Sequence, residues 1–198
     1  MHSVILNDFK EKLATRPTSD IVQEVLFDAF PYCFKEKPSS YGIFRKEICD
    51  IFQIHPQNFS IVGSAKVGFS LSPEKFGREF NESSDIDVVL VSEELFQEIW
   101  LQLIEFKRKT LFKLDRRYKE RFETLQYSLF YGIIRLDRLS DDFDFAKKWW
   151  VFFNKLSVDK RFGPRRIRGA LFKSWKHVSL TYEENIRKLR EQHESNSN

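Results

Sequence analysis

Two aspartates one residue apart, Asp85 and Asp87, open the most β-prone run of the chain, Asp85-Ile86-Asp87-Val88-Val89-Leu90-Val91. Alternate residues of a strand share a face, so both carboxylates project to one side with Cα atoms roughly 6.6 Å apart, at about 3.3 Å per residue. Such a pair can hold Mg2+ or Mn2+: hard oxygen ligands suit these ions, and no His or Cys stands nearby to favour zinc. Upstream, Phe59-Ser60-Ile61-Val62 is a short β-prone segment ending in Gly63-Ser64. A glycine at a strand-to-helix corner lets a phosphate approach the backbone, the serine adds a hydroxyl, and the new helix offers free N–H groups. Carboxylates for a divalent ion and donors for a phosphate are the two halves of a phosphoryl- or nucleotidyl-transfer site.

Other residues are weaker candidates. Lys66 and Ser70 follow the Gly-Ser corner closely enough to touch a phosphate, although a loop lysine is ordinarily just solvated. Arg166 and Arg168 fall on one side of an expected strand over Arg165–Phe172, a side that suits a triphosphate or nucleic-acid backbone as well as it suits an exposed edge. Lys173 and Lys176 come directly after that strand, where a helix entry can meet a triphosphate. Trp149, Trp150, Phe152 and Phe153 are read as core rather than as base-stacking residues, and Tyr182 carries the same two readings. The histidines, His2, His55, His177 and His193, are scattered, which argues against a histidine metal site or triad.

The elements that must position these residues follow from periodicity and punctuation. Helix is expected in the first fifty residues, with Ile21, Val22, Val25, Leu26 and Phe30 at helical spacing before Pro31, and again over Tyr41–Phe52. Short β segments are expected at Phe59–Val62 and Asp85–Val91, the latter buried on both faces. The stretch between them is read as a turn of helix followed by a loop, with Ser70–Ser84 forming an inserted hairpin or lid. From Glu93 to about Tyr131 one or two helices are expected, capped by Ser92. Gly132–Leu139 is ambiguous, Phe145–Leu156 reads as an aromatic helix, and a last helix runs through Arg190. The chain is read as a single α/β (α+β) domain over 1–193, with its core at about 40–175 and a disordered tail at 194–198.

Composition bounds the function classes. At 198 residues, 41% hydrophobic and 31% charged, the chain can bury a core and is unlike a disordered polypeptide. Its 21 phenylalanines point to an aromatic core. The net charge is +4, with basic stretches at Lys107–Arg121 and Lys160–Lys176 that read first as solvated helix faces and second as a surface for a polyanion. Cys33 and Cys49 lack the spacing of a zinc site or a disulfide framework, so a reducing cytoplasm is the expected compartment. No apolar run reaches the roughly 20 residues of a membrane helix, so no membrane partner is expected.

The run Ile61-Val62-Gly63-Ser64, completed by Gly68, and the run Ser84-Asp85-Ile86-Asp87-Val88 together resemble the signature of the DNA polymerase beta-like nucleotidyltransferase superfamily. Within it the spacing is most similar to the oligoadenylate and cyclic-oligonucleotide synthase branch. The resemblance spans about thirty residues. It implies a small mixed sheet with flanking helices, a metal-bound NTP, and transfer of a nucleotidyl group to a hydroxyl with release of pyrophosphate. Asp85 and Asp87 would bind Mg2+ or Mn2+, and Gly63 and Ser64, helped by Lys66, Ser70 and Lys173, would bind the nucleotide. The acceptor would be an RNA end, a nucleotide or a protein, and so short a chain would be either a minimal enzyme in an antiviral defence, toxin–antitoxin or signalling setting or one completed by a partner subunit. Two departures stand out. Twenty residues separate Ser64 from Asp85, more than the compact pattern has. The family's third carboxylate, expected on a later strand, has no counterpart in Arg165–Phe172, and Asp137, Asp144 and Asp159 lie outside that strand. A domain that binds nucleotide, nucleic acid or a partner protein without turnover is therefore the alternative reading.

Overall fold

The structure, a computed structural model, describes residues 2–110, 116–135 and 143–195. Four strands form one mixed sheet: β1 (Phe59–Val62), β2 (Ile86–Val91), β3 (Ile133–Ile134) and β4 (Ile167–Phe172), in the spatial order β1-β2-β4-β3. β1 runs antiparallel to β2, β2 parallel to β4, and β4 antiparallel to β3. A parallel neighbour requires a crossover. Here it is built from α5 (Glu93–Thr110), α6 (Arg116–Phe130), β3 and α7 (Asp144–Ser157).

The helices cover both faces. α3 (Pro38–Phe52), α5 and α7 enclose one core, in which Phe44, Phe52, Ile61, Ile86, Val88, Leu90, Ile99, Trp149 and Leu171 pack together. α1 (His2–Thr15), α2 (Thr18–Gln23) with the π-helical turn Glu24–Asp28 that continues it, and α8 (Trp175–Ser195) enclose the other, around Phe9, Leu13, Leu26, Val62, Val89, Val91, Phe172 and Ile186. The phenylalanine excess is thus spent mainly on two layers of ring packing, as in Phe52 against Trp149 and Phe153 with centroids 4.8 and 5.9 Å apart.

Local rules account for the boundaries. Ser92 caps α5, its Oγ accepting the Leu95 N–H at 3.2 Å, and Glu93 and Glu94 sit in the first turn while Lys107, Arg108 and Lys109 fill the last. α3 starts at Pro38 rather than at Tyr41, because proline fits the first helical position, where its missing N–H has no partner to lose. In the ambiguous stretch Gly132–Leu139, Ile133–Ile134 forms the two-residue β3 and 136–139 lie outside the described residues, while α8 continues through Ser195, two residues beyond the expected domain limit. The aromatic helix α7 supplies core, with Trp149 and Phe153 buried. Among the described residues no helix is long and apolar enough to cross a membrane.

One close approach is demanding. A Cβ on Gly169, midway along β4, would meet Trp149 Cζ2 at 2.2 Å and Phe153 Cζ at 3.1 Å, and both rings are held by the core. Gly169→Ala is expected to lower stability by about 1–3 kcal/mol in urea denaturation through overpacking. Gly42→Ala, in the interior of α3 with nothing within 4 Å of the new methyl, should instead gain about 0.5–1 kcal/mol.

Candidate functional site

The sheet's alternation decides which side chains share a face. Ile86, Val88 and Leu90 of β2 enter the α3/α5/α7 core, and Val89 and Val91 enter the α1/α2/α8 core. Asp87 has the parity of the second set and Asp85 precedes it by two, so both carboxylates stand on the α8 side, at the beginning of β2. On β4 the same parity sends Ile167, Gly169 and Leu171 to the first core and Arg168 to the acidic side.

β1 ends where β2 begins. Val62 is opposite Asp87, and the chain turns at Gly63 into α4 (Ser64–Val67). Gly63 has φ 64° and ψ −147°, a backbone region that glycine alone occupies freely. A Cβ there would lie 3.6 Å from Asp87 Oδ2, so the bare backbone passes directly beside the carboxylate.

The intervening segment folds back as a hairpin-like loop, tied by Ser70 N–H to the Arg78 carbonyl (2.8 Å), Gly77 N–H to the Ser70 carbonyl (3.0 Å) and Phe80 N–H to the Gly68 carbonyl (2.9 Å). Phe69 and Glu79 form an isolated antiparallel bridge. The loop then re-enters β2 through an Asn81 turn, in which Asn81 Oδ1 accepts the Ser83 N–H at 2.9 Å and Arg165 donates to the Asn81 carbonyl. The expected insertion is therefore a built wall. With the strand ends it encloses a polar cavity of about 250 Å³. Ser64, Asp85 and Asp87 line one side, and Ser70, Lys75, Arg78 and Glu79 line the loop side.

Of the residues singled out from sequence, Gly63, Ser64, Ser70, Asp85 and Asp87 come together here. Lys66 and Lys173 do not. Two residues along a helix is a rotation of about 200°, so Lys66 points away from Ser64, is buried, and lines a different cavity. Lys173 lies beyond the opposite end of β4 from Arg168, with Nζ 3.7 Å from Glu93, and borders a cavity shared with Trp100 and His177. The cations at the site are instead Lys75 and Arg78 of the loop. Their signal in the sequence is basic residues between the Gly-Ser corner and the Asp pair, legible only once the hairpin is known to fold inward.

The third-acid candidates also resolve. Asp144 opens α7 and Asp159 is bound by Arg161 at 2.6 Å, and neither lines the cavity. Asp137 lies outside the described residues. Glu79 is the third acid of the cavity wall, yet among the described residues no group of three or more His, Cys, Asp or Glu is arranged to hold a metal ion. In the parallel register the residue beside Asp87 on β4 is Arg168, and its Nη2 reaches Asp85 Oδ2 at 2.9 Å. Arg168 Nε is buried with no hydrogen-bond partner. A guanidinium thus stands on the neighbouring strand where the resemblance leads one to look for a carboxylate.

Behind the pair, Tyr182 of α8 packs against the second core. Burial pushes its phenol well above the ordinary tyrosine range, and the nearby charge of Asp87 adds to the effect.

Compared with protein-family models, with curated proteins and with solved structures, the chain matches none.

Gly63→Ala is expected to cost about 1–3 kcal/mol of stability in chemical denaturation, since alanine does not adopt this backbone conformation without strain. The new methyl would also press on Asp87.

Proposed function

We propose that the chain is a nucleotidyltransferase of the DNA polymerase beta-like kind, transferring an NMP from an NTP to a hydroxyl acceptor with release of pyrophosphate. The observation that carries this reading is the convergence of Ser64, Asp85 and Asp87 in one polar cavity, with the exposed backbone of Gly63 beside Asp87. Ser64 donates its hydroxyl to a phosphate oxygen, Gly63 lets the phosphate approach the main chain, and Lys75 and Arg78 offset its negative charge from the loop side. The acceptor hydroxyl belongs to an RNA end, a nucleotide or a protein. The free thiols of Cys33 and Cys49 are compatible with the reducing cytoplasm in which such a transfer would run.

The two carboxylates fit one Mg2+, an ion that proteins commonly hold through one or two carboxylates while substrate phosphates and water complete its shell. Asp87 and Asp85 would be its protein ligands. When bound, the ion would supply charge compensation at the reacting phosphate. One oxygen of Asp85 is already engaged by Arg168, so the residues present do not provide for a second ion of the same kind.

Arg168 favours a second reading, in which the domain binds the triphosphate without turning it over. A fixed guanidinium supplies positive charge to a phosphate, and it lacks a basic oxygen with which to take the acceptor's proton.

The two readings separate in one assay with each α-labelled NTP, Mg2+ or Mn2+ and total RNA, following label transfer and pyrophosphate. Transfer that falls to background in Asp85→Asn/Asp87→Asn supports the enzyme. NTP binding with no transfer by the folded chain supports the second reading, and Arg168→Asp then tests its cause by placing an acid beside Asp87. Lys75→Ala and Arg78→Ala should each weaken NTP binding by about two- to fivefold, less at high salt, as expected for exposed charges.

A further inference from the structure

Lys66 is a lysine of the Gly-Ser corner that the nucleotide cavity does not use, and its surroundings are unusual for an ammonium. It is 5% exposed and lines a second cavity of about 300 Å³ between α1, the π-helical turn, Tyr32 and α4. Beside four other charged residues, the wall is apolar, with the rings of Phe9, Phe30, Tyr32 and Phe69 and the side chains of Val25 and Val67.

The other charges on this wall are accounted for. Asp8 and Glu24 are held by Lys12 at 2.7 and 2.6 Å, and Glu24 is held also by Arg16 at 2.5 Å. Lys35 pairs with Glu36 at 4.0 Å and sits over the Tyr32 ring, 4.1 Å from its centroid. Lys66 has no hydrogen bond and no ion pair among the described residues; Asp28 and Cys33 act on it only through space. Burial is the dominant influence and pulls its pKa below the ordinary lysine value. Its Nζ is not among the fully enclosed polar atoms without a partner, so the ammonium opens onto the cavity, where its three donors call for acceptors.

We infer that this cavity is a binding site for a small carboxylic acid with an apolar body, its carboxylate on Lys66 and its body against the aromatic wall. The charge count selects the head group: Lys12 is held by Asp8 and Glu24 and Lys35 is paired with Glu36, so the one unpartnered cation matches a monoanion, whereas a phosphate dianion would bring a second charge that neither meets. The volume selects the size, lying at the lower end of the range for small-molecule sites. The inference is independent of what the Ser64 cavity does.

The test uses the full chain and two probes of equal length, octanoate and 1-octanol, titrated by calorimetry, with backbone amide shifts to locate binding. Octanoate is expected to bind about tenfold tighter than octanol, the worth of one charge-assisted hydrogen bond, and to shift the amides of Tyr32, Val67 and Phe69. Lys66→Met keeps the stem and removes the charge. It should unfold at the same temperature as the parent chain or higher, and should bind the two probes alike. Equal affinity of the parent chain for both probes, or shifts confined elsewhere, overturns the proposal without recourse to the variant. So does a Lys66→Met chain that binds octanoate undiminished, or that melts well below the parent, which would mean that the ammonium is satisfied within the fold.

Discussion

Everything at the site depends on the pairing of β2 with β4. β2 is covered on both faces, so its period of two must satisfy two cores at once, and Ile86, Val88 and Leu90 on one side and Val89 and Val91 on the other fix its register. A slip of one residue would drive Asp87 into the aromatic core between α3 and α7. Because that register is held by apolar burial, the two aspartates have a single place to be: at the strand's first residues, on the α8 side, where the sheet meets the Gly63 corner. The parallel pairing with β4 then delivers Arg168 to the same spot from the neighbouring strand.

That delivery sets the electrostatics. Two carboxylates on one side of a strand repel, and Arg168 sets a positive charge directly against one of them. The Arg168–Asp85 pair is about one-third exposed, so its contribution to stability is small, at most about 1 kcal/mol by comparison with surface pairs. Its effect on the site's charge is larger, because it sets a guanidinium against Asp85, while Asp87 is the carboxylate beside the Gly63 backbone. The cavity thus has Lys75 and Arg78 on its loop side and Arg168 bound to Asp85 beside it, a more cationic setting than the bare Asp-x-Asp pattern suggests.

The strands and the corner were legible in the sequence because they depend on local patterns. A β-branched run, a Gly-Ser pair after a short apolar segment and an alternation of acids are each read from a few consecutive residues, and the structure places β1, β2 and β4 within one or two residues of those readings. The cations were not legible in the same way. Lys66 lies close to Ser64 in sequence, but helical rotation carries it to the far side of α4. Lys173 follows the right strand but at its wrong end, since a parallel β4 brings its beginning, not its end, to the acids. Lys75 and Arg78 were hidden inside a segment whose inward fold is set by backbone bonds between Gly68, Ser70, Gly77, Arg78 and Phe80 rather than by a side-chain pattern. Arg168 could be assigned to a face of its strand, yet only the register says that the face is shared with Asp85.

The short helix α4 therefore separates two environments of opposite character. Ser64, at its start, borders a polar cavity dominated by charged groups, while Lys66, two residues on, is buried and lines a cavity with the rings of Phe9, Phe30, Tyr32 and Phe69. Gly63 on one side and Gly68 on the other, both at positive φ, let the chain enter and leave this single turn at angles that an ordinary residue would resist. Gly68 is further confined by Tyr32, whose ring is 2.8 Å from where a Cβ would stand, so the second cavity's wall also presses on the end of the corner that shapes the first. A change in how Tyr32 and Lys66 are packed would have to be accommodated within four residues of helix, the same four that present Ser64 to the acids.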